Sequence, residues 1–184
     1  CPGWTVHGVV SHLVGSVEWA AAGRLQGLPT DEDTAEQVAE RADVPTAELL
    51  DRWAASAPAF AELAAAADIW PAAIDVVTHE HDIRHGLGRP GARDTDDVAR
   101  LAGLVVGWWS PSRPVLVTTP SGSATRGEGD AEPIELRTDE FEILRVRLGR
   151  RSRRQLAALD WSDDPGPLLD ELTVFPPSTV DIDE

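Results

Sequence analysis

The sequence predicts an α+β protein in which a bundle of helices over residues 1–110 precedes a small mixed domain over residues 111–184. Three observations support this fold class. Apolar residues recur at helical spacing through the first part of the chain, whereas β-branched runs and turn-rich segments begin at Arg113. The chain is also long enough, with 184 residues of which 42% are apolar, to bury a substantial core.

The first predicted helix begins after Thr5, a residue type suited to cap a helix N-terminus. Its apolar residues recur three, four and seven positions apart, which places them on one face. They are Val6, Val9, Val10, Leu13, Val14 and Val17. The helix is expected to end within residues 23–27, before an acidic connector with room for a short helix from Thr34.

Three further helices are predicted before the sequence changes character. The first covers residues 46–67 and contains Pro58, which is expected to kink the helix or split it in two. The second begins at Pro71 and ends at the glycines of 86–88, because proline favours the first turn and glycine the position after the last. The third covers residues 95–109. Helices joined by short connections form a bundle.

The remaining sequence predicts strands and short helices. Two strands are expected at "RPVLVTT" and "IELRT", with a turn-rich loop or short hairpin between them. The next segment, "DEFEILRVRLG", fits a helix or a strand. The helix is favoured because the segment starts with acidic residues and because Phe141, Leu144 and Leu148 would share a face. A last short helix is predicted at "PGPLLDELTVF".

The charge balance excludes several classes of partner. The chain has 32 acidic residues against 16 basic ones, all arginine, and a formal charge of -16. Such a surface repels phosphate backbones and anionic lipids, so we expect no nucleic acid and no membrane among its partners. The single cysteine, Cys1, and the lack of a signal sequence favour a cytoplasmic protein. Because the chain does not begin with methionine, we expect that a segment upstream of Cys1 is missing from it.

Three of the five histidines lie in one short segment, "DVVTHEHDIRHGLGRPG". In a helix, Asp75 and His79 share a face because residues four apart are neighbours, and Asp82 continues the same stripe. His81 points roughly the other way and His85 lies to the side, so both should be dispensable for a metal. One helix can thus offer a carboxylate and an imidazole to one ion, but a catalytic metal site usually needs three protein ligands.

His12 is the candidate third ligand. It flanks the apolar face of the first helix, so it is expected to edge into the interior of the bundle. A histidine there can be a core residue bonded to a backbone carbonyl, or a ligand that projects into the bundle centre, where bundles commonly hold metals. On spacing alone the first explanation is favoured, because one Asp–His pair four residues apart is a weak signal.

Two blocks of the sequence, "CPGWTVHGVVSHLVG" and "DVVTHEHDIRHGLGRPG", resemble the metal-binding domain of mycothiol-dependent maleylpyruvate isomerases, which are DinB-like four-helix bundles. The later "RLGRRSRRQLAALDW" is similar to the small C-terminal α+β domain of such proteins, so the resemblance spans nearly the whole chain. The family bundle has a helix before the "GWTV" helix. The resemblance therefore implies that this N-terminal helix is missing here.

The resemblance implies a metal site formed by His12, Asp75 and His79. His12 matches the family histidine of the "HL" block, and His79 matches the second family histidine. Asp75 stands where the family has glutamate or another ligand, and its side chain is one methylene shorter. Asp82 matches a family aspartate that either orients an imidazole or serves as the carboxylate ligand instead.

Two imidazoles and one carboxylate leave a coordination position open, as in catalytic metal sites. Zinc is the first expectation for such a divalent metal, with Ni, Fe and Mn left open. An open divalent ion can hold a thiol as thiolate, and the resemblance implies that this low-molecular-weight thiol is mycothiol. It also implies an isomerase or S-transferase that acts on a small electrophilic substrate bearing a carboxylate.

Six arginines lie close together in an otherwise acidic sequence. They are Arg145, Arg147, Arg150, Arg151, Arg153 and Arg154. For most of them, charge balance against acidic neighbours is the favoured explanation, and no aromatic residues alternate with them as in nucleic-acid-binding surfaces. Arg151 is the candidate catalytic residue, since a guanidinium can clamp a substrate carboxylate. Arg84 is expected to pair with acidic neighbours instead.

Three functions are compatible with these observations. The favoured one is a divalent-metal- and mycothiol-dependent isomerase or transferase. The second is a metal-binding protein of the same fold without turnover, such as a sensor or binder. The third is a structural or interaction module whose histidines are ordinary core and surface residues.

Overall fold

The computed structural model describes residues 3–24, 29–66 and 70–184. Within them the chain divides into two compact units, residues 3–90 and 91–184. None of the helices in the described ranges combines the length and the apolarity that a membrane crossing requires.

The first unit is built from helices alone in its described part. They are α1 (Val6–Ala21), α2 (Asp31–Ala39), α3 (Thr46–Ala66) and α4 (Trp70–Gly86). α1 is the central helix, since it contacts each of the other three. Its buried residues Val10 and Val14 pack with Leu49 of α3. The half-buried residues packed against this cluster are Val44, Trp53 and Ile83.

Both ends of α1 follow from the local sequence. Thr5 caps the helix as predicted, because its Oγ1 accepts a hydrogen bond from the N–H of Gly8 at 3.0 Å. The helix ends at Ala21, and Gly23 then adopts a left-handed backbone conformation with a φ of 68°. The end therefore comes slightly earlier than expected. Of the expected end region, residues 25–27 lie outside the described residues, as does Cys1.

Two details of the helical unit differ from the sequence-based expectation. α2 begins before Thr34, because Thr30 and Asp33 form a capping box in which each side chain accepts a hydrogen bond from the other backbone N–H. α3 continues through Pro58 as a single helix, so the expected split does not occur, and the alternative, a kink at Pro58, stays a prediction. The expected last residue of that helix, 67, lies outside the described residues.

The second unit combines helices with a four-stranded sheet. It contains α5 (Asp96–Gly107), β1 (Val115–Thr119), β2 (Gly122–Arg126), β3 (Ile134–Arg137), α6 (Glu140–Arg147), α7 (Arg153–Ala157), β4 (Asp160–Trp161) and α8 (Leu168–Glu171). The strand order is β2-β1-β3-β4. β1 is antiparallel to β2 and parallel to β3, and β3 is antiparallel to β4.

The core of the second unit follows the alternation of a half-buried sheet. Val115 and Val117 of β1 are buried beside Ile134 and Leu136 of β3, while the residues between them are only partly buried. The segment that fitted either a helix or a strand forms α6, with Asp139 as its N-cap. α6 packs against α5.

The predicted α+β fold class is confirmed, with a helical first part followed by a small sheet with helices. α5 belongs to the second compact unit, so the two units divide between residues 90 and 91. The domain limits expected from the sequence, 1–110 and 111–184, stay a prediction about domain organisation. α7 and β4 are not predicted from the sequence, because five and two residues are too few to give a periodic pattern.

Candidate metal centre

Helices α1 and α4 bring the three predicted ligands together. α1 carries His12, and α4 carries Asp75 and His79 one turn apart. The two helices approach closely at Gly86, where a Cβ atom would lie 2.7 Å from Cγ2 of Val6. A glycine at the end of α4 therefore lets the start of α1 pack against it.

Both imidazoles turn their Nε2 atoms toward the same carboxylate. His12 Nε2 lies 3.3 Å from Oδ2 of Asp75, and His79 Nε2 lies 3.3 Å from Oδ1 of the same side chain. One potential ligand atom from each residue can be chosen so that all three lie within 4.8 Å of one another. Among the described residues, His12, Asp75 and His79 are the group of histidine and acidic side chains whose spacing suits a metal ion.

The opposite nitrogen of each imidazole has its own acceptor. Nδ1 of His12 lies 2.8 Å from Oε1 of Gln37, which also accepts a hydrogen bond from Oγ of Ser16 at 3.3 Å. Nδ1 of His79 lies 2.9 Å from Oδ2 of Asp82. Since both partners are oxygen acceptors, each Nδ1 carries the proton, and Nε2 is the nitrogen that can bind an ion.

The donor atoms fit a divalent metal ion. With bonds of about 2.0–2.1 Å, neighbouring ligand atoms of a tetrahedral zinc site lie about 3.3 Å apart. The Nε2 atoms of His12 and His79 each lie 3.3 Å from Asp75, one at Oδ2 and the other at Oδ1, and one donor atom from each of the three residues lies within 4.8 Å of the other two. Two neutral imidazoles would direct their Nε2 lone pairs at a carboxylate, and such an arrangement is repulsive unless protons or a cation lie among the three groups.

The charges around His79 favour bound cations at this place. Burial by itself lowers the pKa of His79, but hydrogen bonds to Asp75 and Asp82, together with their charges, raise it above the usual value. Burial by itself raises the pKa of Asp75, but hydrogen bonds from His12 and His79 and their charges hold it well below its usual range. Asp75 is therefore ionised, and without a metal His79 holds its proton more tightly than an ordinary histidine does.

Asp75 and Trp4 are the solvent-exposed side chains of the centre. The imidazoles of His12 and His79 are almost completely buried, whereas the side chain of Asp75 is 37% exposed. The Trp4 ring stacks parallel to the His79 ring, with centroids 6.3 Å apart, and meets the His12 ring edge-on at 5.6 Å. Trp4 is itself partly exposed, so its indole is an aromatic surface that solvent can reach beside the two imidazoles.

The other candidates on α4 have different surroundings. Asp82 contacts the Nδ1 side of His79, which is the orienting contact rather than that of a ligand at Nε2. His81 is buried and His85 is exposed, and neither belongs to the metal-ligand group. Arg84 pairs with Glu80 one turn earlier at 2.8 Å, as predicted.

Arg151 lies in the second unit, where its guanidinium has two acidic partners. It donates to both carboxylate oxygens of Glu142 at 2.7 and 2.6 Å and to Glu184 at 3.3 Å. Burial by itself lowers the pKa of Arg151, but Glu142 and Glu184 raise it above the usual value. These contacts tie α6 to the last residues of the chain. Binding of a substrate carboxylate by Arg151 stays a prediction.

Sequence reasoning missed two residues of the centre. Gln37 lies in the acidic segment between α1 and α3, and its burial against His12 has no signature in local spacing. Trp4 belongs to the "GWTV" block that carries the resemblance, but its ring contacts depend on how α1 meets α4. The block itself was therefore the signal that could have drawn attention to Trp4.

Comparison with known proteins identifies the family. A family model described as the mycothiol maleylpyruvate isomerase N-terminal domain matches residues 1–95, which include all three candidate ligands. Comparison with curated proteins and with solved structures gave no match. The family match covers more than half of the 184 residues. The chain therefore belongs to the mycothiol maleylpyruvate isomerase N-terminal domain family, whose members are mycothiol-related, DinB-like proteins.

Proposed function

We propose that the protein is a divalent-metal- and mycothiol-dependent isomerase or S-transferase that acts on a small electrophilic substrate bearing a carboxylate. The observation that carries this proposal is the convergence of two Nε2 atoms on the Asp75 carboxylate, with both Nδ1 atoms already bonded. The family match supports the choice of thiol, since its description names mycothiol.

In this proposal His12, His79 and Asp75 hold the ion. Zinc is the first choice, because two imidazoles and one carboxylate are common ligands of catalytic zinc. A bound divalent ion would lower the pKa of a thiol and stabilise its thiolate. Three protein ligands leave a coordination position for an incoming group, and the exposed side of Asp75 is where such a group can enter.

The chain's own residues would prepare the centre for that ligand. Gln37 and Asp82 hold the two imidazole rings in orientation through their Nδ1 atoms. The buried faces of α1 and α4 keep water away from the histidine side of the ion. Trp4 supplies an apolar surface at the entrance, against which the non-polar part of a substrate can pack.

A substrate carboxylate would need a local positive charge. The protein carries a formal charge of -16, so an anionic substrate is repelled until it reaches a cation. The metal would supply one such charge, and we propose that the guanidinium of Arg151 supplies a second by binding the substrate carboxylate. To serve in this way, Arg151 would exchange one of its present partners, Glu142 or Glu184, for the substrate. A cytoplasmic location is part of the same proposal.

The test combines metal analysis with a thiol-dependent assay. The purified protein is analysed for bound metals, and its activity is measured with maleylpyruvate and mycothiol, alongside His79→Ala and His85→Ala variants. We expect about one equivalent of divalent metal in the wild type, loss of metal and activity in His79→Ala, and no change in His85→Ala, because His85 is exposed and outside the ligand group.

Other outcomes would contradict the proposal in different ways. Bound metal without any thiol-dependent turnover would leave a metal-binding protein of the same fold. Absence of metal from a protein purified without chelators, and after incubation with Zn²⁺, would overturn the metal site and leave His12 and His79 as buried core residues.

A further inference from the structure

We propose that Gln37 is a positioning residue that selects the metal-binding tautomer of His12. Its Oε1 atom lies 2.8 Å from Nδ1 of His12, on the side of the ring opposite to Asp75. The inference rests on the proposed metal site, which it deepens by assigning a role to a residue of α2. His12 and Gln37 are separated by 25 positions in sequence.

The surroundings of Gln37 hold its side chain in one place. The residue is completely buried. Its backbone carbonyl accepts a hydrogen bond from Nη1 of Arg41 at 2.9 Å, and its Oε1 accepts a second hydrogen bond from Oγ of Ser16. Arg41 in turn donates to Glu18 of α1 at 3.2 Å through its Nε atom. Both the side-chain amide and the backbone carbonyl of Gln37 are thus linked to residues of α1.

Gly15 makes this close approach of the helices possible. A Cβ atom at Gly15 would lie 2.7 Å from Cβ and 2.9 Å from Cγ of Gln37. Both distances are shorter than van der Waals contact, so any side chain at this position would displace Gln37 from His12. Glycine in the middle of a helix is otherwise unfavourable relative to alanine. Its presence three residues after His12 is explained by the space that Gln37 needs.

The two ends of the Gln37 amide have opposite effects on His12. With Oε1 toward the ring, Nδ1 keeps its proton, so Nε2 can give up the proton that it shares with Asp75 and bind a metal. With the amide nitrogen toward the ring, Nδ1 would have to accept and the proton would move to Nε2. That nitrogen would then donate to Asp75 and could not bind a metal.

The Gln37 amide is oriented so that its oxygen accepts hydrogen bonds, although its nitrogen is then left without one. Oε1 accepts hydrogen bonds from both His12 and Ser16. The buried Nε2 of Gln37 has no hydrogen-bond partner among the described residues. Buried polar atoms without partners are uncommon and call for an explanation. Here the explanation is that reversing the amide would give His12 the wrong tautomer.

The Nδ1 atom of His79 has a different kind of acceptor from that of His12. His79 has a carboxylate acceptor, Asp82, at its Nδ1 atom, whereas His12 has a neutral amide. A neutral acceptor orients the ring without adding negative charge beside it. The two imidazoles are thus expected to differ in donor strength, and Gln37 accounts for the weaker one.

The experiment compares three substitutions that separate hydrogen bonding from packing. Gln37→Met removes the acceptor at similar size, Gln37→Glu keeps an acceptor oxygen, and Gly15→Ala displaces Gln37 without removing a polar group. Val38→Ala is the matched control, since this half-buried neighbour on α2 packs beside Gly8. The readouts are the ¹⁵N signature of the His12 tautomer in metal-free protein at alkaline pH and the affinity for Zn²⁺ by chelator competition.

We expect Gln37→Met to lose the Nδ1–H signature of His12 and about 10–100-fold in Zn²⁺ affinity, as is typical when the partner of a metal-binding histidine is removed. Gly15→Ala should change both readouts in the same direction. Gln37→Glu should keep the Nδ1–H tautomer and bind Zn²⁺ at least as well as the wild type. Val38→Ala should leave both readouts unchanged.

An unchanged tautomer in both Gln37→Met and Gly15→Ala would overturn the assignment. An equal loss of affinity in Val38→Ala would do the same, because the effect would then be one of packing. If the wild type binds no Zn²⁺, the proposed function fails. The tautomer readout still decides the role of Gln37 in that case, since it is measured without metal.

Discussion

The carboxylate of Asp82 lies 2.9 Å from Nδ1 of His79, and the two buried side chains stand three residues apart on α4. The same imidazole points its Nε2 at Asp75, one turn earlier on the same helix. One helix thus provides two candidate ligands and the residue that contacts the Nδ1 atom of the second. This accounts for three of the charged and histidine side chains in "DVVTHEHDIRHG", namely Asp75, His79 and Asp82.

Replacing Asp82 by alanine should weaken metal binding without removing a ligand. Because Asp82 orients His79 and makes it more basic, we expect Zn²⁺ affinity to fall about 10–100-fold. The measurement is chelator competition, with Glu80→Ala as control, since Glu80 is an exposed neighbour that pairs with Arg84 instead. Wild-type affinity in Asp82→Ala would show that this hydrogen bond does not support the site.

Protons and metal should stabilise the protein in opposite pH ranges. The folded-state pKa of His79 is raised above its usual 6.5. Its contribution to the free energy of unfolding in metal-free protein is therefore fully present below about pH 6.5 and is lost as pH rises through the raised pKa. A metal ion needs the deprotonated Nε2, so the rise in Tm on adding Zn²⁺ should grow with pH.

Thermal unfolding with and without Zn²⁺ across this pH range tests that relation. His79→Ala should show neither the metal-free pH dependence assigned to this group nor the Zn²⁺-induced rise in Tm. A Zn²⁺ effect of the same size at low and high pH would contradict competition at His79.

Replacing Trp4 by alanine should impair turnover more than metal binding. Trp4 packs beside the rings of both histidines but offers no ligand atom, and its side chain is partly exposed. We expect the metal content to stay at the wild-type level and KM to rise, because the apolar surface at the entrance is lost. Trp4→Phe, which keeps an aromatic ring, is the control. Complete loss of metal from Trp4→Ala would instead assign Trp4 to the support of the ligands.

Replacing Arg151 separates its structural role from its proposed catalytic one. Removing the guanidinium leaves Glu142 and the buried Glu184 without this partner. Loss of one partner of a buried ion pair typically lowers stability by about 3–5 kcal/mol. Arg151→Ala should therefore unfold at lower denaturant concentration, and if Arg151 also binds the substrate carboxylate, KM should rise while the metal content is unchanged.

Glu142→Gln is the control for this experiment. It weakens the same ion pair while keeping the guanidinium, so it should lower stability but not raise KM. If Arg151→Ala and Glu142→Gln change KM equally, Arg151 acts only in holding the second unit together.

Glu140 should make part of the stability of the second unit dependent on pH. Partial burial opposes ionisation, but hydrogen bonds involving Ser121 and Thr119 lower the pKa of Glu140 to about 2, and the N–H of Ser121 donates to it at 2.8 Å. Because the folded pKa lies below the usual 4.5, this contribution is present above about pH 4.5 and is lost as pH falls toward 2. A side-chain carbon titration by NMR measures the pKa, and Glu140→Gln should flatten the acid limb of the stability curve.

The sequence indicates those parts of the candidate site whose signals are local. The spacing of Asp75 and His79 places both on one helical face, and the structure has them one turn apart on α4. The position of His12 beside the apolar face of the first helix made it a candidate, but only the family resemblance favoured a metal ligand over an ordinary core histidine. Gln37 was out of reach, because its role depends on the distance between α1 and α2 rather than on any spacing along the chain.

The fold shows a similar limit. Thr5 and the acidic start of α6 are local signals, and the helices they predict are present. The start of α2 was misplaced because the capping pair of Thr30 and Asp33 was overlooked, although it can be read from the sequence. The grouping of α5 with the second unit depends on its packing against α6, which helical periodicity does not specify.

The two aspartates on either side of His79 also bear on the charge of the ion that the centre is proposed to hold. Asp75 and Asp82 each contribute one negative charge, and neutral imidazoles contribute none. A divalent cation would make this group of side chains electrically neutral, whereas a monovalent ion would leave a net negative charge in a protein that already carries -16. A divalent ion would therefore suit these side chains by its charge as well as by the donor atoms that they offer.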